Sequence, residues 1–418
     1  MTAASASTPR LERWLAEQRW FARTDGVEPT IAATVRAPVK RGTSVVVLTV
    51  GDHRYQLIES GGGPDAANDP AVGGALARFV AASGRALADD GSELRGRWIG
   101  AKAPGRAAAR PLGAEQSNTS IAVGGSHVLK VLRRVSTGVH PELEVGAHLA
   151  GSPDAPVAQL AGWYDLVGRD GSVTTLGLVH ELVPGALDGW GLVLSALAAD
   201  PGGVLARLRD LGVAVAQLHG ALALPGDGGT FGVEPLAGTA VWALADRVLS
   251  DPSTPPRAHG AIAHAVEGLG DDAGAAIRTH GDLHLGQTVV GPDGWVILDF
   301  EGEPARSLDE RRARTSPLRD VAGMLRSFSY AAAAHERAGG RPLSAGWEAG
   351  ARAAFLDGYL ATVDPGLLPR SMAAARHLLT LLELEKVVYE LAYERAHRPD
   401  WVAIPARGLD QLLDRTVR

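Results

Sequence analysis

The apolar and polar positions of this chain change their period along its length. Near the N-terminus Leu11, Trp14, Leu15, Gln18, Trp20 and Phe21 keep a helical spacing. Residues 44–50 and 53–58 are instead short alternating or continuous apolar runs, which predict strands of a small sheet. The Gly, Pro and Asp-rich stretch 61–70 predicts a loop, and 75–88 predicts a helix. Residues 120–123 and 127–132, joined by Gly124-Gly125-Ser126, predict a hairpin. Residues 141–149 read as a helix, and 174–182 as a strand closed by Pro184-Gly185. Helical periodicity dominates beyond that point. An apolar stripe runs through 204–222, a short buried-type strand spans 296–299, and Ser316-Pro317 sets an N-cap before a proline at the first helical position. Residues 252–257 read as an exposed loop.

Three regions follow: 1–92, a small strand-rich part opened by a helix; 93–185, strands with one helix; and 186–418, mainly helical. Strands first and helices afterwards predict an α+β protein. A length of 418 residues suggests two or three domains at roughly 150 residues each, enough to bury a sizeable core without staples.

Composition narrows the function. Lys and Arg total 41 against 47 Asp and Glu, a net charge of −6, which argues against a nucleic-acid binder. With no cysteine there are no disulfides, thiolate metal sites or cysteine nucleophiles. The N-terminus lacks a basic region followed by an apolar run, and no stretch is apolar enough to span a membrane, so a cytoplasmic protein is expected. Only four basic residues are lysines, Lys40, Lys102, Lys130 and Lys386, and against that arginine bias a retained lysine points to a task arginine cannot perform. His219, His259 and His264 lack metal-ligand spacing and read as structural or exposed.

The strongest chemical signal is His280-Gly-Asp282-Leu-His284-Leu-Gly-Gln287, followed by a short hairpin and Trp295-Val-Ile-Leu-Asp299-Phe-Glu301-Gly-Glu303-Pro304. Phosphoryl transfer needs a carboxylate to accept the proton of the attacking hydroxyl, and oxygen ligands for Mg²⁺. Asp282, the amide oxygen of Gln287 five residues later, and Asp299 at the end of the next strand have the order and spacing for base and metal ligands.

These segments resemble the aminoglycoside-phosphotransferase-like kinases, relatives of protein kinases, with His-Gly-Asp-Leu-His as their catalytic loop. Gln287 in place of the usual Asn, and Asp-Phe-Glu-Gly-Glu-Pro in place of Asp-Phe-Gly, are similar to bacterial maltokinases, as are residues 308–312 and 316–328. The resemblance implies a bilobal protein-kinase-like fold. Its strand-rich N-lobe carries an N-terminal cap (1–92) and an intermediate subdomain for the nucleotide phosphates (93–185), and a helical C-lobe (186–418) holds the catalytic, metal and sugar sites. The tryptophans of Trp14-Leu-Ala-Glu-Gln-Arg-Trp20-Phe21 are expected to be cap core.

The resemblance also implies site residues. Gly113-Ala-Glu-Gln116-Ser117-Asn118-Thr119-Ser120 stands where a phosphate-covering loop is expected, so Ser117, Asn118 and Thr119 should meet nucleotide. Lys130 on the following strand should reach the phosphates, positioned by a helical glutamate, Glu144 in preference to Glu142. His180, Glu181 and Leu182 occupy the hinge position, whose backbone groups would meet adenine; Trp190 lines a sugar groove or packs under the hinge. On the C-terminal helix Lys386, Tyr389, Glu390, Tyr393 and His397 recur at three- and four-residue steps, giving one face with hydroxyl partners beside aromatic surfaces. With Trp401, His284 and Glu301 they are the expected sugar contacts. The implied reaction moves the γ-phosphoryl of ATP, with Mg²⁺, to the anomeric hydroxyl of maltose. The product, maltose 1-phosphate, feeds α-glucan and glycogen synthesis, and a separate trehalose synthase chain is a possible partner. Glucosamine or another small-sugar or aminoglycoside-type acceptor is the alternative, and a nucleotide-binding pseudokinase the third.

Overall fold

The computed structural model describes residues 8–22, 28–61, 63–105, 108–113, 117–270, 272–344 and 346–416. It divides into two compact units, residues 1–151 with 158–184, and residues 152–157 with 185–418.

The first unit runs α1 (Thr8–Glu17), β1 (Ile31–Lys40), β2 (Thr43–Val50), β3 (His53–Ser60), α2 (Pro70–Ala81), β4 (Arg85–Leu87), β5 (Glu93–Trp98), β6 (Arg110–Pro111), β7 (Asn118–Val123), β8 (His127–Leu132), β9 (Arg134–Val135), α3 (Pro141–Leu149), β10 (Leu160–Val167) and β11 (Val173–Glu181). Its strands form antiparallel sheets ordered β1-β2-β3-β9 and β4-β5-β10-β11-β8-β7-β6. The period of two explains how β2 serves two cores. Val46, Leu48 and Val50 join Leu15 and Tyr55, with Trp14, Trp20 and Phe21 packed against them. Val45 and Val47 point the other way, into a core with Val72, Leu76 and Val80 of α2 and Leu129 and Val131 of β8.

The helix expected over 75–88 is shorter and earlier. Asp69 caps α2, its carboxylate accepting from the Ala71 N–H at 2.7 Å, with Pro70 in the first turn. The helix stops because Ser83 takes a positive φ of 48° and the chain at Gly84 lies so close to Phe79 that a Cβ there would collide. Residues 85–87 are then free to pair with β5, so the turn at 88–92 lies inside a hairpin of the seven-stranded sheet.

The second unit runs β12 (Leu187–Asp188), α4 (Gly189–Ala199), α5 (Val204–Leu222), β13 (Glu234–Pro235), α6 (Gly238–Ser250), α7 (His259–Leu269), β14 (Ala275–Ala276), β15 (Thr288–Gly291), β16 (Gly294–Ile297), α8 (Leu308–Arg312), α9 (Leu318–Arg337), α10 (Trp347–Thr362), α11 (Met372–His397) and α12 (Ala403–Thr416). The start of α9 falls one residue later than expected: Pro317 is the cap, and Ser316 Oγ accepts from the Leu318 N–H at 3.2 Å. Helices α5 and α10 meet backbone to backbone. A Cβ at Gly212 would run into the Phe355 carbonyl, and one at Gly358 into that of Arg209. Among the described residues no helix is long and apolar enough to cross a membrane.

One strand position of the first unit has a pH signature. Asp165 on β10 is 5% exposed, with Oδ2 accepting from the Trp163 indole N–H at 2.8 Å. Burial pushes its carboxyl up to about 6 from 3.8. The folded state therefore holds this proton more tightly than the unfolded chain, and stability falls as pH rises from 3.8 through about 6. Asp165→Asn is expected to be more stable than the parent at pH 8, by roughly 3 kcal/mol, with the gap closing towards pH ~4; urea denaturation at the two pH values measures it.

Candidate active site

The loop of residues 280–287 lies between β14 and β15 in the second unit and has no ladder of its own. Its first two amides are satisfied by one side chain. Asp320, in the first turn of α9 and 1% exposed, accepts the His280 N–H on Oδ2 at 2.8 Å and the Gly281 N–H on Oδ1 at 2.9 Å. Against the cost of its burial, His219, the His280 side chain and the Gly281 amide hold its carboxyl below the ordinary value. Gly281 has a φ of 85°, a conformation that favours glycine.

His280 couples this loop to the strand end that carries Asp299. Its Nδ1 accepts the Asp282 N–H at 3.3 Å, and its Nε2 donates to the Leu298 carbonyl at 2.8 Å, a pairing that assigns the proton to Nε2. The Leu298 N–H in turn donates to the Gln287 carbonyl at 2.9 Å. Asp299 follows with φ of 66°, left-handed backbone that costs a non-glycine residue about 1–2 kcal/mol and that Asn and Asp tolerate better than most. Asp299 and Glu301 each offer a carboxylate oxygen within 4.8 Å of the other, and Gln287 is half-buried nearby in sequence. Glu301, expected among the sugar contacts, is therefore placed with the metal-ligand candidate. His284 accepts the Gly286 N–H on Nδ1 at 3.1 Å, and burial keeps its imidazole below the usual value and hence neutral at pH 7.

The base candidate and the C-terminal helix meet at one ammonium. Lys386 Nζ on α11 lies 3.0 Å from Asp282 Oδ1 and 2.9 Å from Glu303 Oε1. Glu303 also takes Arg306 at 2.6 Å and Arg319 at 3.3 Å, and both guanidinia reach Glu385, at 3.1 and 2.7 Å. Although burial works the other way, these cations hold the Glu303 carboxyl down at about 2, and the two carboxylates raise the Lys386 ammonium well above its ordinary value.

Helix α11 divides the expected sugar residues between two faces. Tyr389 and Tyr393 are exposed, their rings 6.2 Å apart, and Lys386 Nζ sits 5.2 Å from the Tyr389 ring centre. Glu390 does not join them. It is buried and accepts from Arg326 Nε and Nη2 at 3.1 and 2.9 Å, in the stripe where Glu383 takes Arg352 at 2.6 Å. Trp401 stacks on Tyr330 at 6.4 Å under Arg337 and Arg398.

In the first unit Lys130 stands on β8 between Ser120 of β7 and Leu178 of β11, and is 8% exposed. Its ion pair is with Glu142, at 2.7 Å, which corrects the choice of Glu144. Helix α3 starts at Pro141, so Glu142 in its first turn is buried against the sheet, and Glu144, two residues round the helix, is only half-buried. His180 Nε2 lies 3.7 Å from the other Glu142 oxygen. Asn118 and Thr119 hold Arg133: the Arg133 N–H donates to Asn118 Oδ1 at 3.1 Å and its Nε to Thr119 Oγ1 at 2.9 Å, while its Nη2 meets Asp65 at 2.7 Å. The N–H groups of Glu181 and Leu182 donate to the carbonyls of Gln159 and Ser126, both at 2.8 Å, so an adenine there must use other groups of the segment. Ser117 is exposed, and Gln116 lies outside the described residues.

Three residues of this arrangement carried no role in the sequence reading: Glu303, Asp320 and His219. The signal for Glu303 was its place two residues after Glu301. Asp320 and His219 gave no local signal, because their partners are 39 to 140 residues away in the chain.

The model of the phosphotransferase enzyme family matches residues 108–361. The glucosamine kinase of Mycolicibacterium smegmatis is 29% identical over 321 residues, 73% of this chain and 79% of that protein. That of Streptacidiphilus jiangxiensis is 29% identical over 324 residues, 72% of each. A solved glucosamine kinase in complex with glucosamine, ADP and inorganic phosphate shares the fold with a TM-score of 0.71 at 23% identity, covering 97% of this chain and 98% of that one.

The Glu303 cluster predicts a pH dependence of the opposite sign to Asp165. Its carboxyl is lowered from 4.5 to about 2 in the fold, so its contribution is complete above pH 4.5 and is lost as pH falls from 4.5 towards 2. Glu303→Gln is expected to be less stable than the parent at pH 7, and denaturant midpoints measured at falling pH should show that gap narrowing below pH ~4.5.

Proposed function

This chain belongs to the phosphotransferase enzyme family, and we propose that within it the protein is an ATP-dependent kinase of a small sugar, with glucosamine as the acceptor. The observation that carries the phosphoryl-transfer reading is Asp282, a partly exposed carboxylate 3.0 Å from the Lys386 ammonium, on a loop whose first two amides are fixed by Asp320. In the step, a sugar hydroxyl oxygen bonds to the γ-phosphorus and the bond from that phosphorus to the β–γ bridging oxygen breaks. The electron pair leaves with ADP, and the hydroxyl proton passes to the Asp282 carboxylate. Positioning and charge neutralisation do most of this work.

Mg²⁺ suits the donors present. Asp299 and Glu301 offer neighbouring carboxylate oxygens and Gln287 an amide oxygen, a hard, all-oxygen set. When bound, the ion neutralises phosphate charge. Lys130, oriented by Glu142, is the ammonium for the phosphate chain.

Glucosamine as acceptor is supported by two relatives that are glucosamine kinases, similar over more than seven-tenths of this chain. The second reading, transfer to the anomeric hydroxyl of maltose with a separate trehalose synthase as partner, is favoured by Lys386. Its ammonium beside Asp282 repels a cationic amino group and can donate to a neutral hydroxyl, with the Tyr389 and Tyr393 rings along the same face.

ADP release with ATP and Mg²⁺ tests the reading, with glucosamine, maltose and glucose offered in parallel. Turnover on glucosamine is expected. Turnover on maltose alone, giving an acid-labile phosphate, replaces it by the second reading, and no turnover on any acceptor overturns both. Asp282→Asn should lower kcat about 10²- to 10⁴-fold while ATP affinity, read by calorimetry, stays within about twofold. Lys386→Gln removes the local positive charge, so the ratio of kcat/KM for glucosamine over glucose should rise.

A further inference from the structure

Asp320 has partners on its far side that the transfer step leaves without a task. His219 on α5 is fully buried, with Nε2 3.2 Å from Asp320 Oδ2 and Nδ1 2.9 Å from the Tyr359 hydroxyl. Tyr359 on α10 is also fully buried, and burial together with the Asp320 charge holds its phenol well above the ordinary value. It is therefore a neutral hydroxyl with one hydrogen to give. An ionised carboxylate only accepts, so the His219 nitrogen facing Asp320 carries a proton. The other nitrogen faces a hydroxyl that can give or take a hydrogen, and it accepts the Tyr359 hydrogen when the imidazole is neutral.

We propose that Tyr359 is a positioning residue: it fixes His219 as the neutral Nε2–H tautomer, and through it the orientation of the Asp320 carboxylate that aims the catalytic loop. The proposal rests on the reading of Asp282 as the base. Asp320 Oδ2 is shared between His219 and the His280 N–H, so any change at His219 is felt by the loop. Without the hydroxyl, two other states of His219 open. The Nδ1–H tautomer sets a lone pair against the carboxylate, and the imidazolium pulls on Oδ2 with a full charge; both disturb the bond to His280.

The mounting of Tyr359 fits such a role. Its ring lies parallel to Phe355, 6.4 Å between centres, and Phe355 stands edge-on to Phe328 at 5.7 Å. Gly212 and Gly358 let α5 and α10 approach where a Cβ would collide, which sets the spacing of hydroxyl and imidazole by backbone contact rather than by a flexible side chain.

Tyr359→Phe keeps the ring and removes only the hydroxyl. With whichever sugar the parent turns over, kcat should fall about tenfold, with KM for ATP unchanged. Glutamine has no tautomers: in His219→Gln the amide NH₂ can donate to Asp320 while its oxygen accepts from Tyr359. Whatever activity His219→Gln retains, adding Tyr359→Phe to it should cost less than about twofold. An equal tenfold cost in both backgrounds makes Tyr359 a packing residue and overturns the proposal. A second arm needs no acceptor. In ¹⁵N-histidine spectra His219 should show an unprotonated Nδ1 in the parent and lose that signature in Tyr359→Phe. A doubly protonated His219 in the parent, or an unchanged pattern in the variant, overturns the proposal. If no sugar is phosphorylated, the functional reading fails alone and the spectra still decide this one.

Discussion

A buried carboxylate facing two consecutive backbone amides is the interaction on which the candidate catalytic loop of this protein depends. Each component is costly alone. An ionised Asp320 away from water costs several kcal/mol, and the His280 and Gly281 N–H groups, which belong to no helix or strand, would be unpaired donors in the interior. Together they satisfy one another at 2.8 and 2.9 Å. The arrangement is directional, because each carboxylate oxygen has its own amide. The loop therefore has one register against α9, and Asp282 two residues further on inherits it. His280 carries the same registration across to Leu298, so the base candidate and the strained Asp299 are held by a single imidazole.

Above this floor the site is organised by charge. Glu303 and Glu385 between them serve Lys386, Arg306, Arg319 and Arg247, with Lys386 also reaching Asp282. Such a network specifies geometry more than it adds stability, since each ion has been taken out of water to join it. What it specifies is the ammonium of Lys386, which one residue on a mobile four-carbon stem could not otherwise keep beside Asp282. On the adjoining stripe, i−3 and i+4 from Lys386, α11 is anchored by a second set of ion pairs, Glu383 with Arg352 and Glu390 with Arg326. The helix that presents Lys386 is thus fixed along two adjoining stripes.

What the sequence could tell was what short-range rules determine. Helices α3 and α5 start and stop where the apolar period and Pro141 place them, and the β7–β8 hairpin follows from Gly124-Gly125. The candidate catalytic loop stood out because its residue types are unusual in combination, and Lys130 and Lys386 because lysine is scarce here. The partners of charged residues were not legible. Glu142 and Glu144 differ by two positions on one helix, and only the sheet beneath decides which of them Lys130 meets. Glu390 shares three- and four-residue spacing with Lys386 and Tyr393. The helical period equally permits it on the buried stripe, and Arg326, 64 residues away, settles the matter. Asp320 and His219 read as ordinary helix residues because their task exists only after α5, α9 and α10 have packed.

The same charge bookkeeping constrains how an acceptor can be read. A site that selects a cation by charge needs carboxylates with unspent capacity. Glu303, which shares Lys386 with Asp282, is also taken by Arg306 and Arg319. A cationic acceptor at Asp282 would share that carboxylate with the Lys386 ammonium. Selection at the base must then come from hydroxyl geometry, with the exposed Tyr389 and Tyr393 rings supplying flat surface along α11. For glucosamine this sets the pose: the sugar presents a hydroxyl to Asp282 and turns its ammonium away from Lys386. Under the proposed reading the lysine is then more than a generic sugar contact: its charge beside Asp282 would bias which end of an amino sugar reacts.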